Sequence, residues 1–197
     1  MNGLIEVLST LLLDLVEREF EEEHVKIAYL GSSQKVFIED DYVELVRGAE
    51  YTVPRWLALQ FIENNMARPV EEGVDLPKIA TLAFNETRSR SSPKFEKLPG
   101  YFYLMIKQEI SSLFRKYKSV DSLSKARDLA DRIDKLVTNT KVLHRTRLSK
   151  ILTLLSVQQV TPEMLVNLSE EEKHLYTVLK TILDIFNSRV FEVEKHE

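Results

Sequence analysis

Apolar residues at Leu4, Leu8, Leu11, Leu12, Leu15 and Phe20 recur at helical spacing, and Glu19, Glu21, Glu22 and Glu23 close the run. The spacing predicts a helix from Leu4 to about Glu23, and acid at its C-terminal end opposes the helix dipole and favours fraying there. Leu11, Leu12 and Leu13 in succession give it more apolar girth than a surface helix needs, so it should pack against another element or another chain. Three short segments rich in Val, Ile, Tyr and Phe follow, Val25 to Leu30, Lys35 to Glu39 and Tyr42 to Val46, separated by Gly31-Ser32-Ser33 and Asp40-Asp41. With Glu50 to Val53 they make four strand candidates. Pro54 can open a helix and Pro69 cannot continue one, so the stretch between them reads as one short capped helix. Leu57, Ala58, Phe61, Ile62 and Met66 form its apolar face, widened by Trp56 and Leu59. Trp56 is expected to be the interior anchor of a small domain.

After Pro69 the pattern turns helical throughout. Residues of about 70 to 75, including Glu71, Glu72 and Gly73, read as a linker. Asp75 stands as an N-cap with Pro77 in the first turn, and Ile79, Leu82 and Ala83 carry an apolar face to about Glu86. Arg88 to Gly100, with two prolines, several serines and basic residues, reads as an irregular connection. Tyr101 to Tyr117 resumes as a helix with Phe102, Ile106, Ile110, Leu113, Phe114 and Tyr117 on its buried face. From Ser122 to about Val157 a long pattern runs without Gly or Pro. About thirty residues of helix span roughly 45 Å, more than a small domain can cover, so other helices must pack along it. Thr161-Pro162-Glu163 starts a brief helix. Ser169 and Glu172 form a capping box ahead of a last helix that should end near Arg189. The expected fold is mainly α with a small α+β domain: a strand-containing N-terminal domain over 1–70, with its leading helix, then a helical bundle of four or five helices over 75–190.

Composition adds two points. The chain has no cysteine, which removes disulfide and thiolate chemistry and favours an intracellular setting, and the N-terminal stretch carries Glu6 and Asp14 where a signal peptide would be basic and then apolar. The net charge of −4 hides segregation. Residues 1–85 hold 7 Lys/Arg against 16 Asp/Glu, residues 86–150 hold 16 against 7, and residues 151–197 hold 4 against 8. A middle of +9 between acidic flanks can mark a nucleic-acid surface, or a pattern that docks acidic and basic parts of one assembly.

Signs of catalysis are sparse. Glycine stands only at positions 3, 31, 48, 73 and 100, so no phosphate-binding or dinucleotide-binding loop can be written. His24, His144, His174 and His196 are scattered, without a ligand-spaced partner on a shared helix face. Glu21-Glu22-Glu23 and Glu170-Glu171-Glu172 are consecutive residues, which point in different directions on a helix and do not make a catalytic pair. Arg145 and Arg147, with Lys141 and Lys150, could form a basic helix face toward phosphates or toward another subunit's acids. Without interleaved exposed aromatics this is a weak nucleic-acid signal.

The order of parts resembles the GINS replication proteins. The resemblance rests on G-x-E-x-x-V-P-x-W-L-A at Gly48 to Ala58, a helix with Glu86, and L-P-x-x-F-Y at Leu98 to Tyr103. It also rests on a long helix with Arg145, Arg147 and Leu148 late in it, and on Asn167-Leu168-Ser169 with Glu171 and Glu172 opening the last helix. It covers roughly Phe20 to Arg189. The chain is most similar to the permuted type, with the small domain first, as in the second and third Psf subunits of eukaryotes and their single archaeal counterpart. The leading helix is longer than that pattern expects, and an archaeal protein merging both branches is the simplest account.

The resemblance implies a non-catalytic scaffold without cofactor or metal, working in a hetero-tetramer with a subunit of the opposite domain order. It implies contacts with the MCM helicase, a RecJ-like or Cdc-type protein, and primase or polymerase, with any DNA contact indirect. The implied location is the cytoplasm, at the nucleoid, in an archaeon and the nucleus in a eukaryote. Tyr101, Phe102, Ile106, Arg145, Arg147 and Leu148 are the expected interface residues. Two other classes stay open on the residues alone: a DNA-binding regulator using the basic middle segment, and an enzyme whose site leaves no motif.

Overall fold

His24–Tyr29 (β1) places Val25, Ile27 and Tyr29 on one face and becomes the middle strand of a three-stranded antiparallel sheet. The computed structural model describes residues 2–38, 40–70, 74–92, 94–156 and 160–191. The chain divides into two units, Met1–Gly73 and Val74–Glu197. In the first, α1 (Asn2–Glu22) leads into β1, while β2 (Gln34–Ile38) and β3 (Asp41–Leu45) pair with each other as a separate antiparallel ribbon. β4 (Glu50–Pro54), α2 (Arg55–Glu63) and β5 (Ala67–Pro69) complete it. The sheet order is β4-β1-β5, with Ile27 opposite Tyr51 on one side and Pro69 on the other. Pro69, which lacks an N–H, sits on an edge strand where none is required.

Two expectations for this unit need correction. The helix after Pro54 stops at Glu63 rather than running on toward Pro69. Asn65 takes the left-handed conformation (φ 57°), and the Asn65 and Met66 N–H groups donate back to the Ile62 and Phe61 carbonyls at 3.0 and 2.8 Å. That pair of bonds is a Schellman motif, which ends the helix and frees Ala67–Pro69 to return as β5. Trp56 is the second correction, being 40 % exposed. The buried stripe of α2 is Leu57, Ala58 and Phe61, and Trp56 shares its exposed line with Gln60 and Glu63, one turn and two turns on. The interior aromatic pair is Tyr29 with Phe61, edge to face at 5.6 Å, in a core with Ile27, Leu45, Val53, Leu57, Ala58 and Ala67. Only the later turns of α1 bury described side chains, Val16 and Phe20. Arg55 stacks its guanidinium over the Phe20 ring at 4.1 Å, donates to the Phe20 carbonyl at 3.2 Å and pairs with the Glu23 carboxylate.

The second unit holds α3 (Leu76–Arg88), α4 (Phe102–Ser119), α5 (Leu123–Leu155), the single turn α6 (Pro162–Leu165) and α7 (Glu170–Phe191). At 33 residues α5 is the spine, packed by α3, α4 and α7. One core, around Ile79, Ala83, Phe102, Ile106, Leu136 and Leu143, joins α3, α4 and α5. A smaller one joins Phe95, Ile151, Leu154, Leu168 and Tyr176. Asp75 precedes α3 as expected, but the main chain does the capping: its carbonyl accepts the Ile79 N–H at 3.1 Å, with no side-chain bond. Phe114 and Tyr117, expected on the buried face of α4, are exposed. The buried line runs through Phe102, Ile106 and Leu113, and Phe114 lies 100° past Leu113 on the flank. Glu39, the linker residues Glu71, Glu72 and Gly73, Pro93 of the irregular connection and Val157 lie outside the described residues.

Candidate functional site

Leu143, Arg147, Lys150 and Leu154 follow one another at spacings of four, three and four along α5, so two cations occupy the apolar seam of the longest helix. On α3 the same thing happens with Ile79, Ala83 and Glu86, and on α7 Glu172 precedes Tyr176 by one turn. Folding brings these four charges together, two positive and two negative, and all four are buried. An ionised side chain is held out of water only when paired and hydrogen-bonded, and this cluster meets that condition atom by atom.

Arg147 uses all five of its donors. Nε and Nη2 hold the Glu172 carboxylate in a fork at 2.7 and 2.6 Å, and Nη2 also reaches the Asn167 carbonyl at 3.0 Å. Nη1 donates to Glu86 Oε2 at 3.1 Å and to the Glu96 carbonyl at 2.8 Å. Lys150 Nζ spends its three protons on Glu86 Oε1 (2.6 Å), Ser89 Oγ (3.0 Å) and the Lys94 carbonyl (2.8 Å). The Phe95 ring lies under both cations, 5.0 Å from the guanidinium and 5.5 Å from the ammonium. Burial alone would lower the Arg147 pKa, but Glu172, Glu86 and Tyr103 outweigh it and hold the guanidinium more firmly protonated than usual.

The irregular connection before α4 is therefore shaped by the cluster. The Glu96 N–H donates to Glu86 Oε2 at 3.0 Å, Asn167 Nδ2 donates to the Phe95 carbonyl at 3.0 Å, and the Glu170 N–H donates to the Gly100 carbonyl at 2.6 Å. A segment whose sequence reads as an irregular connection is fixed through its backbone. The start of α7 is tied in as well. The Ser169 N–H donates to Glu172 Oε2 at 3.1 Å and the Glu172 N–H donates to Ser169 Oγ at 3.4 Å, so the expected capping box is present, and its acid is also the Arg147 partner. Tyr103 donates its hydroxyl to Glu172 Oε1 at 2.8 Å. Burial, and then the Glu172 charge, push that phenol well above its usual range, so it stays a donor. Glu171, next along, accepts the first-turn N–H groups of Tyr103 and Leu104 at 3.0 and 3.1 Å and caps α4 from the neighbouring helix. Burial raises the Glu171 carboxyl above its ordinary value, although those amides pull it back.

Of the six expected interface residues, three lie inside this chain's own packing. Arg147 is a buried keystone of its own chain, and Phe102 and Ile106 belong to the α3-α4-α5 core. Tyr101 and Leu148 are half-buried, and Arg145, off the seam, is exposed. The open apolar surface lies elsewhere. The second half of α7 presents Ile182, Leu183, Ile185, Phe186 and Val190, with Phe186 59 % exposed. These positions fall within one side of the helix, a continuous face of the kind that marks a protein interaction site. Among the described residues no group of three or more His, Asp or Glu is placed to hold a metal, and no helix is long and apolar enough to cross a membrane.

A helical bundle whose central charges are locked into its own packing, and whose apolar surface is a helix face rather than a pocket, is built to hold shape and meet other proteins. The family comparison gives that class its identity. Residues 56–191 match the family described as Sld5, the GINS complex protein helical bundle domain, and the chain belongs to this family of non-catalytic scaffolds. No curated protein matches the chain.

Proposed function

We propose that the chain is a GINS subunit of the permuted type, the counterpart of the second and third Psf subunits, with its small strand-bearing unit before the helical one. It serves the replication complex as a scaffold without catalysis of its own. Its helical unit joins a subunit of the opposite domain order, in a tetramer of two copies of each. The assembled complex links the MCM helicase to a RecJ-like or Cdc-type protein and to primase or polymerase. The order of the two units along the chain supports the permuted reading.

The observation that carries the assembly reading is the apolar face on the second half of α7, where Ile182, Ile185, Phe186 and Val190 are all more than half exposed. Stable interfaces bury on the order of 1,200–2,000 Å² in total around an apolar centre, and such a face supplies that centre. Arg145 is exposed on α5 and stays a candidate for charge pairing with the other subunit. The test is co-expression with a GINS subunit of the opposite domain order, followed by mass measurement of the purified product. The reading expects a hetero-assembly that Ile185→Glu with Phe186→Glu disrupts without unfolding the chain. Purification of the two proteins apart would refute it.

A further inference from the structure

β2 and β3 form a two-stranded ribbon whose two outer edges differ. The edge of β3 is closed by the unit's own side chains. The Tyr51 hydroxyl donates to the Glu44 carbonyl at 3.1 Å and accepts the Val46 N–H at 2.8 Å, and Asp41 Oδ1 accepts the Tyr42 N–H at 2.7 Å. Backbone groups alternate sides along a strand, so those of Tyr42, Glu44 and Val46 point away from β2. Lys35 stands opposite Glu44 and Phe37 opposite Tyr42, which puts the N–H and carbonyl groups of Lys35 and Phe37 on the outer edge of β2. Among the described residues those groups have no hydrogen-bond partner. The side chains of this strand are sorted as well. Val36 and Ile38 are half-buried against the core of the small unit, whereas Lys35 and Phe37 are exposed, with the Phe37 ring edge to face on Tyr42 at 5.1 Å.

We infer that the outer edge of β2 receives an extended segment of another protein as a further antiparallel strand, one that carries an aromatic, a β-branched residue and an acid in that order. The free backbone groups supply the bonds, and the alternating side chains supply the selectivity. The ribbon itself shows which side chains β2 accepts beside it. β3 sets Tyr42 against Phe37, Val43 against Val36 and Glu44 against Lys35. An added strand meets the same three residues from the open side: its aromatic lies at Phe37, its branched residue extends the core face at Val36, and its acid lies at Lys35. A second copy of β2 does not meet this description, because Gln34–Ile38 contains no acid to place against Lys35. The site belongs to the small unit and is independent of the α7 face.

A peptide with the sequence of residues 40–46 has the required order and serves as the probe, added in large excess to the full chain. It should slow exchange of the Lys35 and Phe37 amides, read residue by residue by NMR, and leave the Val36 and Ile38 amides, which already face β3, as they were. Lys35→Pro removes an outward N–H and no bond to β3, so it should weaken binding on the order of tenfold with the ribbon kept. Lys35→Glu should lose the peptide and regain it when the peptide carries Glu44→Lys. Unchanged exchange at Lys35 and Phe37 would overturn the inference, and so would binding indifferent to the charge swap. Binding that ignores Lys35→Pro and alters exchange at Val36 would show the peptide replacing β3, which also overturns it. Self-association of the chain that Lys35→Pro abolishes would assign the edge to a second copy and overturn the choice of occupant.

Discussion

Replacing Arg147 by Met keeps roughly the length of the side chain and removes all five donors. Glu172 would retain only the Ser169 N–H and the Tyr103 hydroxyl, and Glu86 only Lys150 and the Glu96 N–H. Breaking a buried pair by removing one partner costs about 3–5 kcal/mol, against a total stability of about 5–15 kcal/mol for a domain. For a helical unit of roughly 120 residues, an unfolding entropy near 2.1 cal/mol/K per residue turns that loss into a drop of about 12–20 °C in its midpoint. Far-UV circular dichroism follows the helical unit, while fluorescence of Trp56, the chain's one tryptophan, follows the small unit and should change much less. Adding Glu172→Gln to Arg147→Met should cost about 1–3 kcal/mol less than the two single losses together, because the second change removes the stranded charge. An Arg147→Met protein with an unchanged helical midpoint and a lost partner would refute the keystone account and restore Arg147 to an interface.

Trp56→Ala should cost about 1 kcal/mol or less in urea unfolding, because the ring is exposed, whereas Phe61→Ala should cost about 3–5 kcal/mol. A loss above about 3 kcal/mol for Trp56 would place it in the core after all. Asn65→Ala should destabilise the small unit by about 1 kcal/mol through the left-handed turn that ends α2, and Asn65→Gly should not; equal losses would deny the turn its role. Glu171 has its pKa raised by burial, so the unfolded chain ionises there first, and stability is lost as pH rises from the ordinary glutamate value to the raised one. Glu171→Gln still accepts the Tyr103 and Leu104 amides, and its stability relative to the native chain should grow across that window. A difference independent of pH would show that the carboxyl is not strained by burial.

Much of this architecture is written in local pattern. The four early strands, the long α5, the brief α6 and the Ser169-Glu172 capping box follow from periodicity, turn residues and cap chemistry. The end of α2 was also legible, in Asn64-Asn65, but a pattern count that accepts Met66 as a helical position runs past it. Trp56 reads as a core residue by type, but its angular position on α2 puts it on the exposed line. The Arg147 role carried a signal of its own: Arg147 and Lys150 keep register with Leu143 and Leu154, while Lys141 and Arg145 fall off that seam and stay exposed. Their partners could not be named from spacing, because Glu86 is 61 residues from Arg147 and Glu172 is 25 away. Only the packing of three helices brings them together. Likewise, the pinned connection around Lys94 and Glu96 is held by carbonyl acceptors, which every sequence possesses and none displays.

The central claim is that this GINS-family chain meets its partner subunit through the open face of α7 while the ion cluster stays an internal brace. Amide hydrogen exchange, measured peptide by peptide on the chain alone and on its co-purified assembly with a subunit of opposite domain order, tests both halves at once. The account predicts that protection appears over 182–191 on assembly, where native apolar side chains are uncovered, and changes little over 94–98 and 143–151, which the chain already holds by itself. Protection that appears at 94–98 and 143–151 and leaves 182–191 unchanged would contradict it.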